Sequence, residues 1–146
     1  QKAAARGVAI IIILFGNDAE NYKFGKNSCT YLHEGNGVLV GLAHQLVTIT
    51  TDFEEAFLAE FCEQPRGSYT RNRAIVNLAD TLLRHEIYFA EIFAAFGDSF
   101  HATFGPALIK LRRKYLPVDQ IVALESLIGF GTSSVRSIKK ANARVK

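Results

Sequence analysis

The chain has 146 residues, 49% hydrophobic and only 21% charged, with a formal net charge of +3. That length suits one domain, 1–146, burying about two thirds of its unfolded surface. Two cysteines are too few for a disulfide scaffold, and no apolar run approaches the ~18 residues that span a bilayer, which argues against a transmembrane segment. The apolar excess needs a destination: an oligomer interface, an apolar ligand pocket or a membrane contact. The start at Gln1 without an initiator Met suggests a processed or trimmed chain, which slightly favours secretion.

Taken in order, Val8–Phe15 is an apolar run between Gly7 and Gly16, with four consecutive isoleucines. Lys2 and Arg6 ahead of it imitate a signal peptide, but no small-residue cleavage site follows at Phe15-Gly16-Asn17. Its β-branched density predicts a short buried strand over 8–15, with a packed helix as the alternative. Leu46-Val47-Thr48-Ile49-Thr50 is the candidate partner strand, although Leu39, Leu42, Ala43 and Leu46 recur at helical spacing. Residues 16–37 read as loop with one short helix. Asp52 then opens a predicted helix with Glu55 as capping-box partner. Phe53, Phe57 and Phe61 form its inner stripe, and Pro65-Arg66-Gly67-Ser68 closes it.

The longest periodic stretch is 71–104. Phe89, Phe93, Phe96, Phe100 and Phe104 share one helical face, headed by His85 and continued upstream by Ile75, Leu78, Ala79 and Leu82. Between Ile87 and Phe96 only Glu91 is charged, which predicts burial nearly all round. Gly97-Asp98-Ser99 predicts a kink. Pro106 and Pro117 each open a further helix, and Thr132 or Ser133 caps a last basic one. The expectation is a mainly all-α, single-domain helical bundle around a long central helix.

Charge is unevenly placed. Residues 110–146 hold Lys110, Arg112, Arg113, Lys114, Arg136, Lys139, Lys140, Arg144 and Lys146 against Asp119 and Glu125 alone. Asp52, Glu54, Glu55, Glu60 and Glu63 concentrate acid earlier in the chain. This polarity suggests an anionic partner or a head-to-tail contact between subunits, against internal neutralisation. Arg112, Arg113, Lys114, Arg136, Lys139 and Lys140 are the candidate anion-binding residues, with Arg113, Lys114, Lys139 and Lys140 expected exposed and unpaired. A solvated helix end complementing its dipole is the plainer reading.

Other chemistry fares worse. Gly16…Gly25-Lys26-Asn27-Ser28 fails as a phosphate loop, because Glu20 puts a carboxylate inside the cradle and Asn27 replaces the hydroxyl. Cys29 and His33 have a usable local spacing, but His44 and Cys62 are far away and no second CxxC or HxxxH completes a metal site; Cys29 with His33 or His44 lacks an orienting third group for nucleophilic catalysis. No cofactor, metal or catalytic residue is assigned. His85, Phe89, Phe93, Phe96 and Phe100 could line a pocket for a lipid or haem, or simply form core.

Ala19-Glu20-Asn21-Tyr22-Lys23, Asn36-Gly37-Val38-Leu39, Gln1 and the basic tail resemble interferon-gamma, with departures before Ala19 and across 50–105. That resemblance implies a secreted, intertwined helical dimer binding a receptor and sulfated glycans. The sequence reading is a non-enzymatic, homo-oligomeric binding protein using its basic C-terminal helices on a polyanion or acidic membrane surface. An apolar-ligand carrier and a secreted helical signalling ligand are the alternatives.

Overall fold

The computed structural model describes residues 2–38 and 45–129. They fall into two compact units, Gln1–Ala95 and Phe96–Lys146.

In the first unit, a single turn of helix, α1 (Lys2–Ala5), leads into strand β1 (Ile10–Leu14). The strand expected over 8–15 is present, but its partner is β2 (Ser28–Leu32), paired parallel from Ile10↔Ser28 to Leu14↔Leu32. The β1–β2 connection is held by its own side chains. The Phe24 amide donates to Ser28 Oγ at 2.6 Å, Ser28 Oγ donates to the Gly25 carbonyl at 3.1 Å, and Thr30 Oγ1 donates to the Tyr22 carbonyl at 2.9 Å. Hydroxyls satisfying backbone groups let a glycine-rich stretch deliver a strand where periodicity predicts loop.

A three-stranded antiparallel sheet follows, in the order β3 (Leu46–Thr51), β4 (Glu55–Glu60), β5 (Arg66–Thr70). This sheet overturns the all-α bundle and the helix expected after Asp52. Asp52 does not cap a helix. It and Phe53 take φ of 51° and 60°, and the Glu54 amide returns to the Thr51 carbonyl at 2.9 Å. Residues 52–54 make a three-residue hairpin loop, and the left-handed backbone at Asp52 and Phe53 turns the chain tightly enough to pair Thr51 with Glu55. The misreading has a simple cause. Phe53, Phe57 and Phe61 are four apart, and an even spacing also keeps residues on one face of a strand. Leu46, read as the end of a helix, belongs to β3; Leu39, Leu42 and Ala43 lie outside the described residues.

Helix α2 (Arg73–Phe104) begins where Asn72 Oδ1 accepts from the amides of Ala74 at 3.0 Å and Ile75 at 3.4 Å. Its Val76 and Ala79 pack with Ala56 of β4 as the core of the first unit. The long helix was legible, but its kink lies at Phe96 (φ −127°, ψ 17°), just before the predicted glycine. The burial expected all round from 87 to 96 is not found: Tyr88, Ile92 and Phe96 are exposed.

In the second unit, Pro106–Leu108 form a 3-10 turn rather than the start of an α-helix. Ala107 and Leu108 are buried with left-handed backbones, so packing holds a conformation their side chains disfavour. Helices α3 (Ile109–Tyr115) and α4 (Val118–Leu127) follow, separated by Pro117. Ile109, Ile121 and Leu124 are buried there. The helix expected after Thr132 lies outside the described residues.

Candidate functional site

The outer face of the β3–β4–β5 sheet is built by alternation. Residues paired across antiparallel strands share a face, so Ile49, Phe57 and Tyr69 form one cross-strand row and Val47, Ala59 and Gly67 the next. The opposite face carries Ala56, which is 1% exposed beneath α2. On the outer face Ile49 is 52% exposed and Tyr69 60%. The Phe57 ring lies over Gly67, where an added Cβ would stand 3.0 Å from its Cζ. Glycine there gives the aromatic ring room to lie flat across the neighbouring strand.

Both ends of this face are polar. At one end Arg71 Nε donates to Glu55 Oε1 at 2.8 Å and contacts the Tyr69 hydroxyl at 3.0 Å, while Arg71 Nη2 also reaches Glu55. Arg71, then Tyr69, hold the Glu55 carboxyl below its ordinary pKa, and Glu55 raises that of Arg71. Beyond it, Arg84 of α2 stands 5.8 Å over the Phe53 ring. At the other end Glu60, Cys62, Glu63, Gln64 and Arg66 line a shallow, open depression. Cys62 Sγ donates to the Gln64 carbonyl at 3.2 Å.

A second cluster joins β2 to α2. Strand alternation puts Cys29 and Tyr31 on one side, and His33 follows as the first residue of a 3-10 turn, His33–Gly35. The Tyr31 hydroxyl donates to Glu91 Oε1 at 2.7 Å. Bonding to Glu91 first, and to Cys29 second, pushes the phenol pKa far up. His33 Nδ1 is 2.8 Å from Glu86 Oε2, and its ring stacks at a tilt on Phe15 with centroids 4.2 Å apart. The imidazole N–H is not aimed along that short contact, so the pair is electrostatic more than a directed hydrogen bond. The Glu34 amide also reaches Glu86, at 3.3 Å. His33 is the chief cause of a lowered Glu86 pKa, against burial, which raises it. Cys29 lies in β2 and His33 just past its end, four residues on along extended backbone, about 13 Å at 3.3 Å per residue, too far for a thiol–imidazole couple.

The anion-binding candidates separate. Arg112 is 8% exposed. Arg113, expected unpaired, donates to Glu125 Oε1 from Nε at 2.9 Å and Nη2 at 2.5 Å. The reason is local: α4 folds back beside α3, and Glu125, 2% exposed, needs a cation. Lys110 Nζ donates to the Thr103 carbonyl at 3.1 Å. Lys114 is exposed and takes part in no ion pair among the described residues. Arg136, Lys139 and Lys140 lie outside them. The pocket candidates scatter as well. His85 is exposed beside Tyr88, Phe89 and Phe93 meet with centroids 6.3 Å apart, Phe96 is exposed, and Phe100 stacks on Phe104.

Among the described residues no group of three His, Cys, Asp or Glu side chains is placed to hold a metal, both cysteines are free and exposed, and no helix is long and apolar enough to cross a membrane. Compared with known proteins, the chain matches no family model, no curated relative and no solved structure. The mixed fold also lacks the all-helical layout that the interferon-gamma resemblance implies. Sequence reasoning missed Ile49, Phe57 and Tyr69. The signal available was the β-branched alternation of Val47-Thr48-Ile49-Thr50, which a pairing with 55–60 extends.

Proposed function

We propose that the chain is a non-enzymatic binding protein that docks a partner on the outer face of the β3–β4–β5 sheet. The observation that carries this reading is the exposed row Ile49–Phe57–Tyr69 on a sheet whose other face already supplies the core. Contiguous apolar surface of this kind mostly marks an interaction site. Its ends carry Asp52, Glu54 and Glu55 with Arg71 and Arg84 at one turn, and Glu60 and Glu63 with Arg66 at the other, a small acidic excess at each. The fitting partner therefore has an apolar centre with basic residues around it.

Two synthetic amphipathic helical peptides with the same leucine face test this, one with lysines on its polar face and one with glutamates. Fluorescence titration should favour the lysine peptide, with affinity falling as salt rises. Ile49→Lys with Tyr69→Lys should weaken binding about ten-fold or more, about 1.4 kcal/mol, with an unchanged circular dichroism spectrum. Equal affinity for both peptides, or no loss in the variant, overturns the reading.

A second reading places a polyanion on the C-terminal basic residues, favoured by the exposed Lys114 and the charge excess of 110–146. Heparin affinity chromatography tests it: Lys114→Gln, Lys139→Gln and Lys140→Gln together should elute at clearly lower salt than the wild type. A wild type that passes unretained at low salt removes it.

A further inference from the structure

Strand β1 has one backbone edge engaged and one open. The Ile10 amide donates to the Asn27 carbonyl at 2.8 Å, on the β2 side. Backbone groups alternate sides along a strand, so Ile12 and Leu14 bond toward β2 as well. The amides and carbonyls of Ala9, Ile11, Ile13 and Phe15 point the other way. Among the described residues β1 pairs with β2 alone, and Ile11 is 59% exposed. Two strands are too few for a stable sheet, and parallel strands are ordinarily covered. Proteins guard an apolar edge with a charge or a proline, yet residues 8–15 carry neither.

We propose that β1 pairs antiparallel with β1 of a second copy of this chain, joining two two-stranded sheets into one of four strands. Side chains select a strand apolar on both faces, because Ile10, Ile12 and Leu14 line one face of β1 and Ile11 and Ile13 the other. Strands β3, β4 and β5 each carry polar side chains, whereas β1 meets the requirement itself. Charge selects the direction. The nearest charged residues on either side of 8–15 are Arg6 and Asp18, both exposed. Arg6 takes part in no ion pair among the described residues, and Asp18 holds only the neutral Asn21, while Glu20 is engaged by Lys23 at 2.6 Å. An antiparallel pair sets the Arg6 end of one copy beside the Asp18 end of the other; a parallel pair would set like charge on like. Backbone groups select the register. Ile11 opposite Ile13 of the second copy centres the two-fold axis on Ile12, and Ala9 then meets Phe15, so every free group from 9 to 15 is used. Each α2 is fastened to β2, by Tyr31 to Glu91 at 2.7 Å and by His33 with Glu86 at 2.8 Å. The two β2 strands stand on the outer sides, about 14 Å apart at 4.8 Å per strand.

The test uses the full chain in sedimentation equilibrium and amide hydrogen exchange. The wild type should give twice the 16.1 kDa chain mass, and Ile11→Lys should return it to one, with the circular dichroism melt retained because Ile11 is exposed. The Ile13 amide should exchange about ten-fold or more slowly in the dimer than in that monomer, while the amides of Ile10, Ile12 and Leu14, bonded to β2, should match in both. With Cys29 and Cys62 changed to Ser, Ile12→Cys should oxidise to a disulfide dimer, because the axis sets that residue about 4.5 Å from its twin. Ile10→Cys, facing Leu14, should not. Ile49→Lys with Tyr69→Lys, on the outer face of the other sheet, should leave the dimer intact, so this inference and the docking reading fail separately. A wild type of single-chain mass at its highest soluble concentration overturns the inference, and a protected Ile13 amide in that monomer assigns the edge to another segment of the same chain. So does a dimer indifferent to Ile11→Lys, an Ile13 amide that exchanges equally fast in dimer and monomer, or cross-linking by Ile10→Cys alone.

Discussion

Two carboxylates tie elements together in this molecule, and they do so under different conditions. Glu86 joins α2 to the end of β2 through His33, with side chains 22% and 19% exposed. Glu125 joins α4 to α3 through Arg113, with its own side chain 3% exposed. Water reaches the first pair and can solvate either member if the other is lost. It does not reach Glu125, so there the cation compensates a desolvation that the fold has already imposed. The first region is held mainly by shape, with the ion pair as a latch. The second depends on its charge.

The largest expected effect breaks the shape of the first region. Gly35 sits at φ 69° directly against Phe93, and an added Cβ would overlap that side chain. Gly35→Ala combines backbone strain with overpacking, a loss of about 3 kcal/mol. Urea denaturation should register it as a lowered midpoint. A midpoint within error of the wild type would mean that the β2–α2 junction yields easily and is not held by shape.

Next comes the charge of the second region. Arg113→Ala strands the Glu125 carboxylate and should cost about 2 kcal/mol, the penalty of an unpaired buried charged group. Lys114→Gln, one residue along and exposed, should stay within about 0.5 kcal/mol of the wild type. Equal losses from the two would erase the distinction drawn between Glu86 and Glu125. It also follows that Arg113 is a poor choice for testing polyanion binding, since its removal confounds affinity with folding.

How much of this was legible in the sequence follows from periodicity. The 73–104 helix was readable because a 3.6-residue repeat sustained over that length has few rivals. Its kink was displaced by one residue, from Gly97 to Phe96, because the glycine marks where a helix can break and tertiary packing chooses where it does. The 46–70 sheet was not readable as such. Phe53, Phe57 and Phe61 satisfy both periods, and the deciding feature is a left-handed Asp52-Phe53 turn whose residues are not the usual Asn-Gly. The docking face inherits that ambiguity, since Ile49, Phe57 and Tyr69 are neighbours only once strand register is fixed. The Arg113–Glu125 pair was hidden for another reason: twelve residues and a proline separate the partners, and no local rule links them.

The smallest effect sharpens the comparison by pH. His33 lowers the Glu86 carboxyl below its ordinary value of 4.5. The sign is that of a depressed carboxylate: its contribution is fully present above the unfolded-state value and is lost as pH falls through the folded one. Wild-type stability should therefore fall more steeply below about pH 4.5 than that of Glu86→Gln. The difference should stay near 1 kcal/mol or less, because both side chains keep some contact with water. Glu55, lowered by Arg71, adds its own acid slope to both proteins and cancels in the difference. His33→Ala should remove the same slope as Glu86→Gln, and the double variant should lose no more than either. Additive losses in that cycle would mean that the two side chains act on separate partners, and that no latch joins β2 to α2.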